Sequence, residues 1–309
     1  MQADGNLNTG EHEVGINKGE GVISSNKQRE LEASINNFKK WLRERKKLCL
    51  DAAEQYTRLT FPKPTEADWT MIAEGSEVKF NTFLTSKCTF DFYRMVVLHE
   101  CFHLFVQHVP NKCDAKRVKD SFGDAFMKLL DIEADYYTAM YYKEVERASV
   151  VDIFSLLYEG SKTFRDSWIR PGKVERFIGT ILSIAKAYFR NPRAKWTREK
   201  ELFLPDISNI SMENRINILV QKGNHFCAGE INVDNSDLDN IRKCYRQADT
   251  MGVQSYVESL LQFASKALDI NIPPVIYKQV HDLEEPASPQ LAPRPCQSLL
   301  LYQSAVAVE

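Results

Sequence analysis

His99, Glu100 and His103 sit in the stretch VVLHECFHLFVQH, residues 96 to 108, among Val96, Val97, Leu98, Phe102, Leu104, Phe105 and Val106. A helix of that composition is apolar nearly all round and belongs in an interior. Ionisable groups inside it need partners, because an unpaired charge away from water is expensive. At 3.6 residues per turn His99 and His103 stand one above the other, about 40° apart around the axis. Two imidazoles so placed suit one tetrahedral Zn²⁺, and Glu100 is close enough to reach a metal-bound water. Nitrogen donors completed by a carboxylate, with one position left open, make a catalytic zinc site. The competing reading of the same residues is a buried His–Glu hydrogen-bonded cluster that holds no metal.

Such a site needs a third protein ligand. His108 follows His103 by five positions, with Val106 between them. The extended metzincin pattern wants Gly three and His six residues after the second histidine, so His108 reads as a helix-end or supporting residue. A peptide deformylase would need a cysteine ligand upstream, and AEGSEVKF (73 to 80) has none. Carboxylates are offered downstream by LLDIEADYYTAMYY (129 to 142), which holds Asp131, Glu133 and Asp135.

HECFH (99 to 103) followed by DIEADYYTA (131 to 139) resembles the gluzincin-type zinc-protease core of HtpX-type and ImmA/IrrE-type metallopeptidases, and the short gap between the two segments is nearer the latter. The likeness covers residues 90 to 145. It implies a zincin-like fold and a protein substrate, since ImmA-type proteins are often linked to cleavage of regulatory proteins. It also implies that Asp131, standing where the pattern has Glu, is the third zinc ligand, and that Asp135 orients a ligand histidine. Ala134 would let the two helices approach closely. Glu133 is the rival ligand, because it falls mid-stripe with Phe126, Leu130 and Tyr137 on the apolar face of that helix. Asp131 shares a face with Asp124, Asp135 and Thr138, which is also what a solvated face would look like.

Other reactive residues read more plainly. Cys101, on a buried helix, is a small hydrophobe rather than a redox switch. Tyr136, Tyr137, Tyr141 and Tyr142 suit a core, although one tyrosine placed there could hydrogen-bond a developing oxyanion. His225, in GNHFCAGE, reads as a surface histidine.

The elements that must position this chemistry follow from periodicity. Leu31, Ile35, Phe38, Leu42, Leu48, Ala52 and Tyr56 recur at helical spacing and predict one long amphipathic helix over 24 to 56, with Ser25 and Gln28 as a capping box. Pro62 and Pro64 break it, and Thr65 is placed to cap a short helix through Ile72. Val78, Phe80 and Thr82 alternate with polar residues and predict a strand within 76 to 89. Residues 114 to 147 read as helix, bent near Gly123, with more helix over 150 to 190 and 236 to 268. The fold class expected is mainly α with a small β-sheet (α+β). The domains expected are a disordered leader (1–25), a zincin-like metallopeptidase domain (26–200), a helical C-terminal region (201–281) and a Pro-rich linker and tail (282–309).

Composition limits the function classes. The chain has 309 residues, 43% hydrophobic and 27% charged, as expected of a soluble globular protein. A formal net charge of -2 argues against a nucleic-acid binder relying on bulk positive charge. No apolar run is long enough to span a bilayer. Seven scattered cysteines without a CxxC pair suit a reduced, cytoplasmic protein rather than a disulfide scaffold. The expectation is a zinc-dependent peptidase acting on a protein or peptide, with Zn²⁺ on His99, His103 and Asp131. Glu100 would be the general base, and the 76 to 89 strand would align the substrate as a sheet edge. The alternative is a non-catalytic interaction protein that keeps the metal only as a scaffold.

Overall fold

The computed structural model describes residues 25–45, 58–60, 71–74, 77–80, 89–105, 131–163, 173–189 and 235–283. The expected leader before residue 25, the tail beyond 283, residues 46–57 of the first helix, His108, Gly123, Asp124, Phe126, Leu130 and His225 lie outside them.

The helices are α1 (Ser25–Glu44), α2 (Phe90–Phe105), α3 (131–141, running on into a π-helical turn at Tyr142–Glu146), α4 (Val150–Thr163), α5 (Lys173–Phe189), α6 (Asn235–Arg246), α7 (Val253–Leu268) and α8 (Pro274–His281). α2 is the axis of the assembly. Eleven of its sixteen residues are buried, on all sides, as its uninterrupted apolar composition requires. α1 covers one side of it, and α4 covers another.

Aromatic rings lock α1, α2 and α3 together. Phe38 of α1, fully buried, lies 5.0 Å from the Tyr141 ring, 6.5 Å from Phe102 and 6.4 Å from Phe105. Phe102 stacks on Tyr137 at 4.9 Å, tying the helix that carries the histidines to the one that carries Asp131. Trp41 adds a directed contact, its indole N–H donating to Glu144 at 3.0 Å.

The remaining helices close around this unit. α4 begins at a reciprocal cap, in which Asp152 N–H donates to Ser149 Oγ (3.1 Å) and Ser149 N–H donates to Asp152 Oδ2 (2.7 Å). Lys143 donates to the carbonyls of Ala187 and Tyr188 at 2.8 and 3.0 Å, placing a positive charge where α5 ends. α7 packs on both α4 and α5, where Ser161 and Tyr256 share a 2.7 Å hydrogen bond and Tyr158 donates to the Met251 carbonyl at 2.8 Å. One buried core therefore runs from Leu31 to Val280.

The fold class is all-α, which corrects the α+β class expected from the sequence. Every residue of the described core lies on a helix or in a turn joining two helices. Among the described residues, strand pairing is confined to β1 (Arg58–Thr60), β2 (Met71–Glu74) and β3 (Glu77–Phe80). Runs of three or four residues span only about 10–14 Å and make a ribbon, not a layer. Three local expectations change with it. Met71 and Ile72 pair in β2 instead of ending a helix. β3 lies between β1 (parallel) and β2 (antiparallel), so the stretch expected to be a substrate-aligning edge is the centre of the ribbon. Thr89, placed at the end of the expected strand, is instead the N-cap of α2, accepting the Phe92 N–H at 3.3 Å.

Because the Phe38 ring joins three helices, Phe38→Ala should destabilise the fold by about 3–5 kcal/mol, the usual cost of emptying a buried aromatic position. Chemical denaturation would measure it. A change below about 1 kcal/mol would show that α1 is not part of the cooperative core.

Candidate metal centre

The site is built from two helices that meet side by side. On α2, the four-residue spacing puts the two imidazoles on one face, with Nε2 of His99 and Nε2 of His103 3.1 Å apart. Across from them, at the first described residue of α3, Asp131 Oδ1 lies 3.3 Å from Nε2 of His103 and 3.9 Å from Nε2 of His99. All three residues are buried, at 4, 8 and 7% exposure for His99, His103 and Asp131. Among the described residues this is the group of His, Cys, Asp and Glu side chains whose ligand atoms converge closely enough to hold one metal ion.

Ala134 on α3 is fully buried. α5 also meets α3, where the Ser183 hydroxyl donates to the Ile132 carbonyl at 3.2 Å and to the Gly179 carbonyl at 2.8 Å.

The electrostatics show what the group requires. Asp135 Oδ1 accepts the Nδ1–H of His99 at 2.8 Å, and the Thr180 hydroxyl donates to Asp135 Oδ2 at 2.7 Å. With Nδ1 committed as a donor, Nε2 of neutral His99 carries a lone pair toward Asp131 and His103. Two imidazole nitrogens and a carboxylate oxygen then face one point with little water available, and such a set needs a hydrogen atom or a cation between its members. Without a metal, an Nε2–H of one histidine serves, and an added proton on His99 is favoured. Burial lowers the His99 pKa, but the charge of Asp135, the nearby carboxylate of Asp131 and the charge of Glu100 outweigh it and push it up to about 10.

A metal ion is the other cation that fits. Ligand atoms about 2.0–2.1 Å from a tetrahedral zinc ion stand about 3.3 Å from one another. The separations here are 3.1, 3.3 and 3.9 Å. Two nitrogens and one oxygen, backed by a carboxylate on the outer nitrogen of one imidazole, form a common ligand set for divalent transition metals. His99, His103 and Asp131 therefore form a buried His–His–Asp group with the chemistry and spacing to bind a metal ion.

The other candidate residues fall into place around this group. Glu100 is buried and close enough for its charge to raise the His99 pKa. Glu133 is buried as well, but it is not among the converging ligand atoms. Phe126 and Leu130, which with Tyr137 defined its stripe, lie outside the described residues. Cys101 is fully buried, and its surroundings push the thiol well above its usual range. Tyr137 and Tyr141 are committed to ring stacking, and Tyr142 packs against Arg94. Thr180 had no signal in the sequence, because its role depends on α5 returning to α3 forty-five positions later.

No protein-family model matches this chain, and no curated protein or solved structure matches it either. No helix among the described residues is long and apolar enough to cross a membrane.

Asp131→Asn should weaken metal binding sharply, because an amide oxygen brings no formal charge to the ion. Glu133→Gln should leave metal content near normal, and Asp135→Ala should cost about 10- to 100-fold in affinity by freeing the His99 ring. Chelator competition on the three purified variants ranks them. Loss of metal in Glu133→Gln with retention in Asp131→Asn would reverse the assignment.

The proton on His99 adds a pH dependence. Below a pKa of about 10 the ion must displace that proton, so apparent metal affinity should rise about tenfold per pH unit across the neutral range. A flat chelator-competition profile from pH 6 to 9, corrected for the chelator's own protonation, would show that His99 binds no proton in the metal-free chain.

Proposed function

We propose that this chain is a zinc-dependent peptidase acting on a protein or peptide substrate, with His99, His103 and Asp131 as ligands and Glu100 as general base. The observation that carries the reading is the convergence of both Nε2 atoms and Asp131 Oδ1 on one buried point, with a glutamate beside the first histidine. The resemblance of HECFH and DIEADYYTA to the ImmA/IrrE-type core supports the same assignment of roles.

Zinc held in this group supplies Lewis acidity, polarising a carbonyl and making water a nucleophile at neutral pH. The chain's own residues do the rest. Asp135 holds the His99 ring in the tautomer that directs Nε2 inward, and Thr180 holds Asp135. Glu100 takes the proton from the attacking water and delivers it to the leaving amine. A buried carboxylate is suited to this task, because little bulk water competes for the transferred proton.

The purified protein should hold close to one zinc per chain, measured by elemental analysis, and His103→Ala should lose it. Glu100→Gln should keep zinc and fold while proteolysis falls by at least about 10²- to 10⁴-fold, the range of a lost general base. Full cleavage by Glu100→Gln would remove Glu100 from the reaction. Stoichiometric zinc without cleavage of any protein substrate would leave the group a structural scaffold.

A further inference from the structure

A second compartment borders His99 at its Asp135 end. It is a partly open cavity of about 70 Å³ bordered by α2, α3, α4 and α5. Phe92, Ile153, Leu157 and Phe177, each at most 4% exposed, give it walls that are mainly hydrocarbon. His103, Asp131 and Glu100 are not among its lining residues, so it is separate from the face on which the ligand atoms converge.

Its polar lining is uneven. Asp135 is engaged on both oxygens, by His99 and by Thr180, and the Thr180 hydroxyl is spent on that contact. Thr138 and Tyr142 also line the cavity, each 3% exposed, and neither hydroxyl has a hydrogen-bond partner. Buried hydroxyls are rarely left so, because the desolvation cost goes unrepaid. A water can meet such hydroxyls but leaves the hydrocarbon walls unfilled. A molecule that is hydrocarbon over most of its surface and carries one oxygen satisfies both the walls and Thr138.

We propose that this cavity is a binding site for a small aliphatic molecule bearing a single hydroxyl or carbonyl oxygen, which pairs with the Thr138 hydroxyl. Size sets the upper bound. An engineered apolar cavity of roughly 150 Å³ takes benzene; a four-carbon alcohol, about as large as benzene, fits here with its oxygen at Thr138 and the end of its chain toward the open mouth. The site assignment is independent of the peptidase reading, because it uses neither the metal nor Glu100.

Butan-1-ol is the probe. It is titrated into the full chain, as purified and with methyl groups labelled, while NMR follows the Ile153 and Ile184 methyls that face the cavity lining. Saturable shifts are expected, with none from glycerol at equal concentration. Thr138→Val keeps the side-chain volume and removes an unpaired hydroxyl, so it should fold normally and bind butan-1-ol about 2- to 10-fold more weakly. Equal affinity in Thr138→Val would overturn the proposal, as would shifts that fail to saturate. Xenon, measured on the unmodified chain, gives a readout that no variant's folding can obscure. Xenon binding without butan-1-ol binding would show a purely apolar void and overturn it too.

Discussion

Three electron-pair donors aimed at one buried point are the constraint around which this chain is arranged. Nε2 of His99, Nε2 of His103 and Oδ1 of Asp131 repel one another unless a hydrogen atom or a metal cation lies between them. Solvent is not there to screen them, since each residue is at most 8% exposed. Something else must hold them together against that repulsion. The packing of α2 against α3 does so through the Phe102–Tyr137 stack, with Phe38 bracing both helices from outside.

The same constraint explains the unusual composition of α2. A helix carrying two ligands on one face needs apolar residues on every other face if it is to lie in the middle of a helical assembly. An amphipathic helix would leave one side in water, and water would then compete with any bound cation for the imidazoles. Glu100 and Asp135 each interact with the His99 ring, one as a nearby charge and the other through a hydrogen bond, and Thr180 donates to the second oxygen of Asp135. The polar cluster and its apolar envelope thus depend on each other.

How much of this can be read in the sequence depends on the range of the interaction. The two histidines and Glu100 lie within one helical turn, so their spacing alone placed them on one buried surface. Asp131 required a pattern borrowed from a resembling family, because nothing local distinguishes it from Glu133, which is equally buried. Thr180 could not be found, since its partner is set by the packing of α5 on α3. Fold class failed for a related reason. Alternation at Val78 and Phe80 correctly marked a strand, but class is decided by what packs into layers, and the described core is built from helices.

His99 is the residue through which these levels meet. Its Nε2 faces the metal group, while its Asp135 end borders an apolar chamber walled by α2, α3, α4 and α5. Asp135 belongs to both environments, since it fixes the imidazole and also lines the chamber. Any occupant that displaces Asp135 must therefore alter how firmly His99 presents its lone pair. By linkage, a metal ion that stiffens His99 must alter the affinity of the chamber by the same factor. The coupling needs no large movement. It would act through a chain of two hydrogen bonds, Thr180 to Asp135 and His99 to Asp135.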